Sequence, residues 1–261
     1  MDISEISVIA IDLDGTLLRS DSTLSDRSIK AIEQCVIQGL HIVIATARPF
    51  LSAKQRLSKV RTSKLYYICS NGAAIYQEDQ PIYIDSIDAI VAQECIDIFY
   101  SHELDFVISV EVACTGNLYT NRKDNPDDSL FEVIDLRSIQ DDLSKLFVHI
   151  PKQHKGSLPP FPKECRVDIW DNGQSANVTS PTANKLSAMS KLLVHLDLSY
   201  NNLMTLGDGV NDIDLLEASH IGVAMENAAP EAKVHSRFTT SSNDEDGVAI
   251  VLEKILAKGG L

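Results

Sequence analysis

Cysteine is scarce and scattered: Cys35, Cys69, Cys95, Cys114 and Cys165 form no CxxC pair. That spacing offers neither the clustered thiols of a zinc site nor a full disulfide framework, and it fits a reducing, cytoplasmic setting. Basic side chains are also in deficit. Lys and Arg number 23 against 37 Asp and Glu, a formal net charge of -14, which argues against nucleic acid or an anionic membrane as the main partner. A phosphate-bearing ligand would therefore need a locally basic pocket or a metal. No apolar run approaches the roughly 20 residues of a membrane helix, the N-terminal apolar run is short and lacks a basic flank, and no internal repeat is visible. What is present is a chain of 261 residues with 44% hydrophobic content, enough for a sizeable core in one domain or two.

The first informative stretch is SVIAIDLDGTLL, residues 7 to 18. Val8 to Ile11 is apolar without alternation, as in a strand covered on both faces of a parallel sheet. Asp12 and Asp14 then stand at its carboxyl end, where open α/β sheets bind ligands. Gly15 allows a sharp turn and close approach of the backbone. Taken alone, the same string is also an ordinary acidic turn.

Ser25 is placed to cap a helix carrying Ile29, Ile32, Val36 and Ile37, and Gly39 to end it. Leu40 to Ala45 follows as a second strand, completing a right-handed βαβ unit. At its end lie Thr46, Ala47 and Arg48, a hydroxyl and a guanidinium fork suited to a phosphate; Thr46 could equally cap a helix, with Pro49 in its first turn. Leu65 to Cys69 predicts a third strand, and Ser70, Asn71, Gly72 and Ala73 a tight turn into a hairpin, with a further turn near Asp79.

From about residue 84 to about 184 the pattern changes. Ile87, Ile90, Val91, Ile98 and Phe99 suggest one helix face, while FVISV (106 to 110) and ECRVDIW (164 to 170) alternate as antiparallel strands do, which together indicate an inserted α+β module. Residues 125 to 128 and 156 to 162 read as loops. The basic string at 152 to 155 reads as a solvated loop rather than a substrate grip.

A helix then opens near Thr182 and carries Leu186, Met189, Leu192 and Leu193. Lys185 falls in its first turn after Asn184, where the positive end of the helix dipole disfavours a cation unless an anion neutralises it. Finally Leu203 to Leu206 predicts a strand running into GDGVNDIDLLEAS. Asp208, Asp212 and Asp214 crowd this segment with Asn211, and such a density of carboxylates calls for a nearby cation; the plainer alternative is an Asp-rich turn with Asp212 as helix cap. IGVAMENA (221 to 228), a Pro230-started helix and a last helix from about 247 to 256 complete the chain.

These segments, in this order, resemble the four motifs of the haloacid dehalogenase superfamily of phosphohydrolases: Asp12 with Asp14, then Thr46 to Arg48, then Lys185, then Asp208 to Asp212. Ser70 to Ala73, Val223 to Ala228 and the later EDGVA are similar to the Cof-like subgroup. Ala47 and Leu186 replace glycines often found at those places. The resemblance implies an α/β fold, a Rossmann-like parallel-sheet core of residues 1–83 and 185–261 with an inserted α+β cap of residues 84–184. It implies Asp12 as nucleophile, Asp14 as acid and base, and Lys185 steadying the phosphoryl charge. Magnesium would be held by Asp12, Asp14 through its carbonyl, Asp208 and Asp212. Thr46, Ala47, Arg48, Asn71, Gly72, Lys185 and Asn211 would bind the phosphate. The implied activity is magnesium-dependent hydrolysis of small phosphorylated metabolites by a monomer or small homo-oligomer. A phosphomutase of the phosphomannomutase type and a non-catalytic binding protein are the competing readings; intact Asp12, Asp14, Lys185 and Asp208 argue against the latter.

Overall fold

The structure is a computed structural model that describes residues 5–62, 64–101, 106–121, 129–152 and 158–257. The 125–128 loop, most of the basic 152–155 string and the first residues of the 156–162 loop lie outside the described residues.

In chain order, β1 (Val8–Ile11), α1 (Asp26–Ile37), β2 (His41–Ala45), α2 (Phe50–Arg56) and β3 (Leu65–Cys69) lead into β4 (Ala74–Gln77) and β5 (Gln80–Ile84). Next come α3 (Ala89–Ser101), β6 (Val107–Val112), β7 (Leu118–Thr120), β8 (Glu132–Val133), β9 (Leu143–His149), β10 (Arg166–Trp170) and β11 (Ser175–Thr179). The chain continues through α4 (Lys185–His195), β12 (Leu203–Gly207), α5 (Ile213–Ala218), β13 (Ile221–Ala224), α6 (Pro230–Val234), β14 (Phe238–Thr239) and α7 (Gly247–Leu256). Two compact units result, one built from the residues up to Tyr83 and from Asn184 onward, the other from Ile84–Ala183. Among the described residues no helix is long and apolar enough to cross a membrane.

The first unit holds an eight-stranded sheet in the order β14-β13-β12-β1-β2-β3-β4-β5. It is parallel from β14 to β3 and turns antiparallel at β4. Its central strands β1, β2, β3, β12 and β13 are mostly apolar and buried because both faces are covered. Ile9, Ile11, Ile42 and Ile44 pack with Ile32 and Cys35 of α1 and Leu252 of α7; the intervening Val8, Ala10, Val43 and Ala45 pack with Met189 and Leu192 of α4. Ile11 is level with Ile44 on one side and Leu206 on the other. The chain that leaves β1, β2 and β12 therefore emerges at one edge, and β1 lies between strands reached in opposite directions, the switch point where α/β sheets bind ligands.

Ser25 caps α1, its side chain accepting from the Ser28 amide. Ile37 departs from expectation and is 74% exposed. The buried stripe of α1 runs through Ser28, Ile29, Ala31, Ile32 and Cys35, which turns Ile37 to the opposite side. Similarly, α3 buries Ala92, Cys95, Ile96 and Phe99 and leaves Ile90 exposed, because the small Ala92 and Cys95 mark the side that faces the sheet. Ile87 precedes α3 and bridges to Leu143.

The second unit is a six-stranded sheet in the order β10-β11-β9-β6-β7-β8. Its neighbours are antiparallel apart from the parallel β7–β8 pair. Alternation along β6, β9 and β11 sends Ile108, Val110, Leu146, Val148, Ala176 and Val178 to the core under α3. Ser109, Lys145, Phe147, Asn177 and Thr179 take the alternate positions and lie on the other face.

Candidate active site

Asp12 continues the β1 ladder by one bond, its amide donating to Leu206 O at 3.0 Å. This places its side chain at the mouth of the sheet, where it is buried. Lys185 is the first residue of α4, whose N-cap Asn184 accepts from the Ser187 amide at 2.7 Å. The Lys185 ammonium donates to Asp12 Oδ1 at 2.5 Å and to Asp212 Oδ1 at 2.6 Å. A cation at the positive end of a helix is thus held by two carboxylates. Gly72 makes this placement possible: its φ is +99°, and a Cβ there would lie 2.1 Å from Asn184 O. Its contact in this structure is with the α4 cap.

Asp208 leaves β12 beside Asp12. Its Oδ1 accepts from Thr16 Oγ1 at 2.6 Å, and Gly15, at φ +82°, leaves room for it; a Cβ there would stand 2.4 Å from Asp208 Oδ2. Asp212 does not cap α5 with its side chain. Instead its Oδ2 accepts from the amides of Asp208 at 3.2 Å and Gly209 at 2.9 Å. Ligand oxygens of Asp12, Asp208 and Asp212 lie within 4.8 Å of one another.

Three carboxylates around one ammonium leave a net negative site. Burial raises Asp12 well above the usual carboxylate range; Lys185 opposes this, and Asp212 and Asp208 add to it. Asp208 is raised as well, by burial first, then by Asp212 and Asp14 against the Thr16 hydrogen bond and Lys185. Burial disfavours the Lys185 charge, but Asp12 and Asp212 together outweigh it and hold the ammonium above its ordinary value. All-oxygen donors with unbalanced negative charge fit a hard divalent cation such as magnesium. Asp12 Oδ2 and Asp208 Oδ2 accept no hydrogen bond among the described residues, whereas both oxygens of Asp212 are engaged.

Asp14 lies further out, its side chain 49% exposed. Arg48 grips it with both arms of a fork, Nε to Oδ2 and Nη2 to Oδ1, each at 2.7 Å, while Nη1 donates to Ser52 Oγ at 3.2 Å. Arg48, expected from the sequence to bind a phosphate, pairs with Asp14 in this structure, because the ends of β1 and β2 bring the two charges side by side. Thr46 is buried, and its hydroxyl accepts from the Arg48 amide at 3.1 Å. It caps no helix, since Pro49 holds the N-cap position of α2. Ala47 lies in the same bend, half-buried.

The turn after β3 is laced to this bend by Asn71 N to Thr46 O at 3.1 Å and Ser70 N to Arg48 O at 2.9 Å. Ser70 and Asn71 both take positive φ, 50° and 56°, a conformation that costs energy in non-glycine residues and gathers at functional sites. Asn211 Nδ2 reaches Asn71 Oδ1 at 3.2 Å. All the sequence-selected residues thus gather at one edge of the first unit. Sequence reasoning did not single out Thr16, Asn184 or Asn227 as site residues. Asn227 Nδ2 donates to Gly15 O at 2.7 Å and its Oδ1 accepts from the Asn243 amide at 3.0 Å, bracing the turn that carries Asp14. Thr16 and Asn227 lay inside strings already noted, which was the available signal.

The profile of the haloacid dehalogenase-like hydrolases matches residues 9–252. The chain belongs to the haloacid dehalogenase-like hydrolase family. A relative in this family, the 5-amino-6-(5-phospho-D-ribitylamino)uracil phosphatase YitU of Bacillus subtilis, is 25% identical over 264 residues, 95% of this chain and 96% of that protein. The chloroplastic endoribonuclease YBEY of Arabidopsis thaliana is 26% identical over 94% of this chain, which spans only 46% of the plant protein's length. The solved structure of a haloacid dehalogenase-like hydrolase from Bacteroides thetaiotaomicron superposes with a TM-score of 0.83 at 21% identity, over 96% of this chain and 99% of that one. This hydrolase therefore shares the family's fold along nearly its whole length.

Proposed function

We propose that this hydrolase is a magnesium-dependent phosphatase of small phosphorylated metabolites, acting through an aspartyl phosphate on Asp12. The observation that carries the reading is the Lys185 ammonium bonded to Asp12 Oδ1, which leaves the other oxygen of a buried carboxylate turned to a site with Asp208 beside it. Asp12 and Asp208 with the Asp14 carbonyl would hold the magnesium, and Asp212 would act from the outer shell. When bound, the ion would offset the repulsion between a carboxylate and a phosphate dianion.

Asp12 attacks phosphorus in line, forming an oxygen–phosphorus bond as the bond to the leaving oxygen breaks, which splits one hard displacement into two easier ones. Asp14 protonates that leaving oxygen and then takes a proton from the water that releases phosphate. Both its oxygens accept from Arg48, so carrying a proton requires the guanidinium to release one of them. Thr46, Lys185 and Asn211 would hold the transferring oxygens, with the backbone of Ala47, Asn71 and Gly72 shaping the edge.

In this reading the unit Ile84–Ala183 selects the leaving group. Its support is the polar sheet face, where Asn177 Oδ1 and Thr179 Oγ1 are buried without a hydrogen bond. Arg137 and Arg166, the described arginines of that unit, are each paired with an aspartate, Asp135 and Asp168, which weighs against the second phosphate grip of a mutase. The net charge of -14 fits a metabolite in the cytoplasm better than nucleic acid or membrane.

The test is phosphate release from a panel of phosphorylated metabolites, with magnesium and with EDTA. The panel includes 5-amino-6-(5-phospho-D-ribitylamino)uracil, in view of the relative's activity. Hydrolysis of at least one sugar or polyol phosphate that EDTA abolishes is expected. Undiminished turnover in EDTA, or phosphoryl transfer to a second sugar without phosphate release, would contradict the reading.

A further inference from the structure

Cys95 and Cys165 stand 70 residues apart in sequence, yet their sulfurs lie 3.6 Å apart. Cys95 is fully buried on the sheet-facing side of α3. Cys165 directly precedes β10 and is half-buried. The segment that leads into it is anchored just before the thiol. Its amide donates to Pro162 O at 3.1 Å, and Phe161 packs on Phe99, one helical turn along α3 from Cys95, with ring centroids 5.6 Å apart. Closing the remaining gap to a sulfur–sulfur bond of about 2.0 Å takes only a small shift of the two side chains.

We propose that Cys95 and Cys165 form a redox-modification site, closing to a reversible disulfide when the protein meets a hydroperoxide. The two thiols differ in the way such a pair requires. Either sulfur can donate the hydrogen bond between them; with Cys95 as donor, Cys165 is lowered against burial and the nearby Glu164 and Glu94, and Cys95 is raised by the same bond and by burial. Cys165 is also the more accessible of the two, so it is the attacking thiolate and Cys95 the resolving thiol.

In the first step the Cys165 sulfur attacks the peroxide, a sulfur–oxygen bond forms, the oxygen–oxygen bond breaks, and the departing hydroxide leaves as water with the Cys165 proton. In the second, the Cys95 sulfur attacks the Cys165 sulfenic sulfur, and the expelled hydroxide takes the Cys95 proton. The two sulfurs together give up two electrons, and hydrogen peroxide is reduced to two waters. Cys35 and Cys114 lack this arrangement. Cys35 is buried and its thiol is pushed up to about 12, and Cys114 is exposed, with no sulfur partner among the described residues. The site lies wholly in the second unit and does not depend on the chemistry at Asp12.

The test uses the full chain carrying Cys114→Ser, which removes cross-links between molecules. The protein is treated with hydrogen peroxide, alkylated, digested without reductant and mapped by mass spectrometry. The expected result is a peptide pair joined through Cys95 and Cys165, two hydrogens lighter than the reduced pair and separated again by dithiothreitol. Counting free thiols in the untreated-sequence protein, before and after peroxide, gives the same answer without any substitution: a loss of two buried or half-buried thiols that dithiothreitol restores. Oxidation of Cys165 to sulfinic acid with Cys95 still free, or both thiols unchanged after peroxide, would overturn the proposal.

Discussion

The Arg48 guanidinium holds both oxygens of Asp14, at 2.7 Å each. A bidentate pair of this kind fixes the orientation of the carboxylate as well as its place. On the proposed mechanism, Arg48 would position the acid and base.

Arg48→Ala is expected to lower kcat about tenfold to a hundredfold for an alkyl phosphate, whose leaving oxygen needs a proton. The loss on para-nitrophenyl phosphate should be smaller, because its leaving group needs no proton and only the water step still calls on Asp14. Steady-state kinetics on the two esters separate the roles. A parallel loss on both, expressed mainly in KM, would return Arg48 to the phosphate.

Asp12 and Asp208 are both raised in the folded chain, so each holds its proton more tightly folded than unfolded. Below the unfolded carboxylate value of about 4 both states are protonated and nothing is lost. As pH rises through the raised folded values, the unfolded chain has already released its protons, and stability falls. Asp208→Asn should relieve this. In EDTA its melting temperature relative to wild type should climb as the pH rises above the unfolded carboxylate value of about 4. Magnesium should reverse the order by stabilising the wild type alone. A difference independent of pH and of magnesium would remove Asp208 from the metal site.

Gly72→Ala places a Cβ against the Asn184 backbone at a positive φ. A loss of about 1–3 kcal/mol is expected, together with a drop in kcat as the α4 cap and Lys185 shift. Calorimetry and kinetics on the same preparation check both. Wild-type stability would show that the α4 cap yields freely.

Replacing residues 84 to 183 with a short Gly/Ser linker should flatten the ranking of phosphorylated metabolites while some hydrolysis of small activated esters persists. Circular dichroism must first show that the remaining unit folds. A folded unit that keeps the parent's ranking would place specificity in the first unit.

The sheet of the first unit was legible because its apolar runs were unbroken and each ended in a charged or hydroxylated residue. Asp12, Thr46 and Asp208 are where strand ends put them, and the misplacement of Lys185 near a helix start correctly signalled an anion. The partners were less legible. Arg48 could have faced any anion, and only the register of β1 on β2 brings Asp14 to it. Gly72 looked like a turn residue, but its need for space is set by Asn184, far away in sequence. Helical spacing puts Ile37 and Ile90 on the apolar face, whereas in the structure the buried side of each helix runs through the small residues Ala31, Ala92 and Cys95.

On the proposed mechanism Asp12 becomes phosphorylated. Asp14→Asn is expected to slow release of phosphate from that intermediate while leaving the attacking group in place. Acid quenching of this variant during turnover of para-nitrophenyl phosphate with magnesium, followed by peptide mapping, is expected to show one phosphoryl group on the peptide containing Asp12, removed by hydroxylamine. Phosphoryl label on any other side chain, or continued turnover by Asp12→Asn at the wild-type rate, would contradict it.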